Sequence, residues 1–184
     1  MNGTAASVEP GQAGTQAQDC DLHVRAWCLP PGSAARRARS LLRDCLGPHV
    51  TDGELTDDLE SVVDELAANA WQHACGPCEM RVVCHQGIPV VCEITDAGDS
   101  ASELTKRLRQ AADLTTDPTD GDIGALLEGG RGLSIVARLT NGRCGARQAR
   151  LLSTGQPGTS VWFALPASRS AIQPPQPPTA RRGS

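Results

Sequence analysis

The segment Glu65-Leu66-Ala67-Ala68-Asn69-Ala70-Trp71-Gln72-His73 carries a carboxylate, a carboxamide and an imidazole at intervals of four residues. On a helix, Glu65, Asn69 and His73 share one ridge. Leu59, Val62, Val63, Leu66, Ala67 and Ala70 form a broad apolar stripe, and the ridge borders it. Asp57, Ser61 and Asp64 fall on the side expected to face water. Polar groups at the rim of a buried face carry a desolvation penalty unless something occupies them. An Mg²⁺ ion with its phosphates would do so, since Mg²⁺ takes oxygen ligands and keeps several waters. Ordinary boundary residues of a surface helix would give the same pattern.

A second cluster, Ile94-Thr95-Asp96-Ala97-Gly98-Asp99, sits at the end of a strand-like run. A carboxylate there can accept a hydrogen bond from an exocyclic amine such as that of adenine. Gly98 would let a flat ring approach the backbone closely, although a plain strand-to-turn junction has the same composition. A third cluster is Glu128-Gly129-Gly130-Arg131-Gly132-Leu133-Ser134-Ile135-Val136. Glycines running into a helix start offer free N–H groups and the positive end of the helix dipole, which suit phosphate. A flexible linker before a helix is the alternative. No Gly-Lys-Ser/Thr follows, so it is not a Walker A loop, and without a strand directly before it or a third Gly it is not a dinucleotide fingerprint.

The elements that must hold these clusters alternate along the chain. Leu22 to Leu29 reads as an edge strand stopped by Pro30-Pro31. Ser33 is a candidate N-cap for a helix to about Leu46, and Thr56 or Asp57 opens a longer helix to about Ala74. Strands are expected over Met80 to His85 and Val90 to Thr95, joined through Gly87, and a polar helix over Ser102 to Leu114. Thr115 to Gly130, rich in Asp, Gly and Thr, is expected to be a mobile lid. A short helix from Gly132 to Leu139 follows, then strands near Arg147 to Ser153 and Thr159 to Leu165, turned at Gly155-Gln156-Pro157-Gly158. This order predicts an α/β two-layer sandwich, a mixed β-sheet with helices on one face.

Composition removes several function classes. Three Trp, one Phe and no Tyr in 184 residues leave too few aromatic platforms for stacking on single-stranded nucleic acid. A net charge of −4 argues against direct nucleic-acid binding through the phosphate backbone. No apolar run approaches the roughly 20 residues of a membrane helix, and Met1 to Gln18 lacks the features of a secretory signal, so a cytoplasmic protein is expected. Residues 1–19 and the Pro-rich residues 166–184 read as disordered tails around a foldable domain of residues 20–165.

Taken together, the three clusters resemble the Bergerat-fold ATP-binding domain of the histidine kinase-like ATPases, over about residues 22–165. Within it the chain is most similar to the stand-alone anti-sigma factor type of serine/threonine kinase-like regulator. The resemblance implies that Glu65 is the general base and that Asn69 binds Mg²⁺. It makes Asp96, with Gly98, the holder of the adenine amine. Gly130, Arg131, Gly132 and Leu133 would line the phosphates, and Thr159 on the closing strand Gly158-Thr159-Ser160-Val161-Trp162-Phe163 would support the adenine site. ATP and Mg²⁺ are the implied cofactors. Phosphoryl transfer to a Ser/Thr of an antagonist protein is the implied reaction, with transcription regulation as its setting. A sigma factor or an anti-anti-sigma antagonist is the implied partner, and homodimers are common in the family. Where the family usually has a second Gly in the adenine box stands Ser100, and Glu128 stands two residues before Gly130. A non-catalytic, nucleotide-gated interaction module on the same fold is the alternative.

A different chemistry competes at Cys75-Gly76-Pro77-Cys78, the thioredoxin tetrapeptide. Its context is reversed, because here the motif follows a helix and leads into a strand, and a helix C-terminus disfavours a thiolate. Zinc, with His73, Cys75, Cys78 and Cys84 or His85, would be the other use of these residues. The remaining cysteines, Cys45, Cys84 and Cys92 among them, lie in apolar stretches and read as small buried hydrophobes.

Overall fold

A computed structural model describes residues 21–47, 49–73, 76–116 and 131–166. Residues 1–19 and 167–184 of the expected tails, and residues 117–130 of the expected lid, lie outside them. The elements are β1 (Leu22–Leu29), α1 (Ala34–Leu46), α2 (Gly53–His73), β2 (Cys78–His85), β3 (Ile88–Asp96), α3 (Ala101–Thr116), α4 (Arg131–Leu139), β4 (Cys144–Arg150) and β5 (Pro157–Ala164).

α1 buries Ala34, Ala38, Leu41, Leu42, Cys45 and Leu46 on one face, as its helical spacing requires. Ser33 stands at its N-cap position without a side-chain capping bond. α2 begins earlier than Thr56. Asp52 accepts a hydrogen bond from the Leu55 N–H through its side chain (3.3 Å) and one from the Thr56 N–H through its carbonyl, adding a first turn. Asp64, expected to face water, is half-buried and pairs with Arg39 of α1 at 2.9 Å. β2 and β3 form a tight hairpin whose central residues, Gln86 and Gly87, both have positive φ (51° and 79°), the signature of a type I′ turn.

The five strands form one sheet in the order β1-β2-β3-β5-β4. The two-layer α/β architecture matches the expectation, but the sheet is antiparallel at every pairing instead of mixed. The reason is topological. β2 and β3 are joined by a two-residue hairpin, and α1 and α2 carry the chain out and back between β1 and β2, so both pairs come out antiparallel. β3 and β4 run the same way, yet β5 lies between them.

Alternate strand residues divide between the two faces. Met80, Val82, Cys92, Ile94, Val161 and Phe163 meet Leu42, Val62, Val63, Leu66, Leu108 and Val136 of the helices in one apolar core. The opposite face carries buried charge. Glu79 (1% exposed) accepts hydrogen bonds from the N–H groups of Leu152 (2.9 Å) and Ser153 (2.7 Å) and from Arg81 Nη2 (3.1 Å). Arg81 also donates to the Arg150 carbonyl. The chain after β4 is thereby strapped to a strand three places away in the sheet. Burial pushes the Glu79 carboxyl up, but the Ser153, Leu152 and Arg81 bonds outweigh it and hold it below its ordinary value. Glu93 on β3 is tied in the same manner by Arg147 and Ser160.

Candidate functional site

α2, α3, α4, β3 and β5 enclose a cavity of about 240 Å³. One wall is a face of α2 with Leu66, Asn69, Ala70 and His73, and another is a face of α3 with Glu103, Leu104 and Arg107. Ile94, Asp96 and Val161 come from the sheet, and Leu133 from α4. The lining is mainly aliphatic with a few polar groups, the usual make-up of a small-molecule site.

Asp96 is the last residue of β3 and is 8% exposed. The Gly98 N–H donates to its Oδ1 at 2.7 Å. Burial raises its carboxyl above the ordinary value, against the Gly98 N–H and the nearby His73, which pull it down. Thr159 pairs with Asp96 across β3 and β5. Its hydroxyl donates to the Gly98 carbonyl (2.9 Å) and accepts from the Ser100 N–H (3.0 Å), pinning the Asp96–Ser100 turn. Gly158 is required beside it, because a Cβ there would run into the Asp96 carbonyl. Ser100, standing where a glycine was expected, lines the cavity and contributes its N–H to this network.

At the other group of site residues, α4 starts directly against α2. A Cβ on Gly132 would stand 2.5 Å from Glu65 Oε2 and 3.2 Å from Asn69 Nδ2. Glu65, Asn69 and the first turn of α4 are thus one constellation, joining clusters far apart in sequence. Its oxygen donors suit a hard divalent cation. Leu133 is buried and lines the cavity. Gly130 and Glu128 lie outside the described residues, while Arg131 opens α4.

Several lining residues escaped the sequence reading. His73, given no part in the nucleotide site by the sequence, lines the cavity, in keeping with its place on the Glu65–Asn69 ridge. Glu103, Leu104 and Arg107 follow an i, i+1, i+4 pattern that was visible in the sequence, but nothing there said that this side of α3 faces a cavity.

The thiol alternative fits poorly. Cys78 is buried at the head of β2, and burial with the neighbouring Asp96 and Glu79 charges pushes its thiol up to about 12, far from an attacking thiolate. Cys75 lies outside the described residues. The zinc set fails on length, since Cys84 and His85 are at the far end of β2, roughly 20 Å from Cys78 at the rise of an extended strand. Among the described residues no group of three or more His, Cys, Asp or Glu could hold a metal ion. Cys45, Cys84 and Cys92 are buried free thiols, as expected of small apolar residues.

A family model described as the histidine kinase-like ATPase domain matches residues 31–162. Among solved structures, the chain is similar to one from the crystal structure of the SiaB–SiaC complex of Pseudomonas aeruginosa. Identity is 16% and the TM-score 0.54, covering 77% of this chain and 89% of that one. No curated protein matches. Among the described residues no helix is long and apolar enough to cross a membrane.

Proposed function

The chain belongs to the histidine kinase-like ATPase domain family, and from that premise we propose that it binds Mg-ATP and acts as an anti-sigma-type regulator that phosphorylates a Ser/Thr of an antagonist protein. The observation that carries the nucleotide reading is Asp96. Among the described residues its carboxylate takes a single hydrogen bond, from Gly98, and it lines a mainly aliphatic cavity. A buried carboxylate in that state calls for a donor from a ligand, and an exocyclic amine of a base supplies one.

Asn69 would hold Mg²⁺, with Glu65 beside it, and the N–H groups of the first turn of α4 would receive the phosphates. Bound Mg²⁺ supplies neutralisation of phosphate charge during transfer. Glu65 accepts the proton of the incoming hydroxyl, and the fixed turn at Gly98 to Ser100 orients the base so that the phosphates reach α4. The SiaB–SiaC structure is a complex of two proteins, which supports a protein partner here, either a sigma factor or its antagonist. A homodimer and a cytoplasmic location belong to the same proposal.

Calorimetric titration with ATP, with and without Mg²⁺, tests it. Micromolar binding that is lost in Asp96→Ala and weakened in Asn69→Ala or without Mg²⁺ is expected. Absence of binding at millimolar ATP by folded protein would sink the nucleotide reading. Phosphate transfer lost in Glu65→Ala with ATP binding retained supports the kinase. A partner response unchanged in that variant would instead make the protein a non-catalytic, nucleotide-gated module.

A further inference from the structure

We infer that Arg107 is the residue that covers the face of the bound base, an inference that rests on the nucleotide reading above. A flat heterocycle whose edge reaches Asp96 must lie between the α2 wall and the α3 wall. Among the described lining residues there is no Phe, Trp or Tyr to stack on it. The flat groups available are the His73 imidazole on α2 and the Arg107 guanidinium on α3.

The setting of Arg107 suits stacking better than phosphate binding. Its Nε donates to Glu103 Oε1 at 3.0 Å, one helical turn away. That contact anchors the guanidinium by an edge and leaves its faces free. It also makes the α3 wall locally neutral, so this wall offers no net positive charge to a triphosphate. The guanidinium is planar and weakly hydrated, and it stacks flat on aromatic faces, a contact that the compact, strongly hydrated ammonium lacks the planar surface to make. Both partners remain about half exposed (50% for Arg107, 57% for Glu103), so the pair itself is worth little to the fold and a ligand can cover it. Leu104 beside it continues the same surface as an aliphatic rest for the ring. The phosphate end lies elsewhere, at Glu65, Asn69 and Gly132.

The test compares wild type, R107A and R107K by displacement titration with AMP, ADP and ATP, with circular dichroism and thermal midpoints confirming the fold. Stacking on the base predicts a loss of about tenfold in R107A that is the same for all three nucleotides. R107K should recover little of it, because a point charge does not replace a planar group. A loss that grows from AMP to ATP and is restored by Lys would make Arg107 a phosphate contact and overturn the inference. Unchanged affinities in R107A would overturn it as well, with the nucleotide reading intact. If folded wild type binds none of the three, the nucleotide reading itself fails and the role of Arg107 goes with it.

Discussion

Asp96 and Glu79 are buried carboxylates on neighbouring strands, one residue out of step and therefore on opposite faces of the sheet. Burial drives both carboxyls upward, yet their final positions are opposite, Asp96 above its ordinary value and Glu79 below. The difference is the number of donors. Glu79 receives two backbone N–H groups and a guanidinium, and Asp96 receives one N–H. Burial alone therefore does not mark a functional acid. A buried acid whose hydrogen bonds are complete holds the fold, and one left incomplete beside a cavity is poised for a ligand.

This contrast can be broken from either side. Removing Glu79 should do most damage, because Glu79→Ala leaves Arg81 buried without its counter-charge and two N–H groups without an acceptor. A loss of about 3–5 kcal/mol is expected in urea unfolding. Because the folded-state value of Glu79 is lowered, its contribution is present above the ordinary carboxylate value and disappears as pH falls through the folded one. The penalty of Glu79→Gln should accordingly shrink on acidification.

Removing Asp96 should act on the ligand. Asp96→Ala is expected to weaken ATP binding about 100-fold or more by calorimetry, because the base loses the acceptor it is recognised by. The apo fold should respond in the other direction to Asp96→Asn. The folded-state value of Asp96 is raised, so the charged form opposes folding at neutral pH, and the favourable contribution exists only below the unfolded value and is lost as pH rises through the folded one. Asp96→Asn should therefore raise the thermal midpoint at pH 7 by about 2–4 °C, a gain that vanishes near pH 3. A lowered midpoint at pH 7 would remove the contrast. The smallest effect belongs to Thr159→Val, which unpins the Gly98–Ser100 turn without touching the carboxylate. About a three- to tenfold loss of ATP affinity is expected.

Much of the site was legible because each cluster is local. The Glu65, Asn69, His73 ridge follows from helical period alone, and Asp96 closes a strand where its hydrophobic run ends. Less legible was what depends on pairing. Cys144–Arg150 has no apolar alternation, because as an edge strand it packs little, and Leu151-Leu152 drew the expected strand about three residues too late. The role of Glu79 was invisible, since its partners at Leu152 and Ser153 are set by how the chain after β4 folds back. The cavity face of α3 was hidden for the same reason. A helix shows in its sequence that it has sides, but only the assembled layers decide which side meets a ligand.

The position of β5 also dictates how this molecule is made. It is the last of the described elements but lies inside the sheet, filling the gap between β3 and β4. During synthesis β4 emerges with no strand to join, and β3 keeps a bare edge until Pro157–Ala164 leaves the ribosome. Thr159 and Val161, which pin and line the pocket, arrive in that same stretch. A chain cut short before it has all four described helices and no completed pocket, so ligand capture becomes possible only once β5 has emerged.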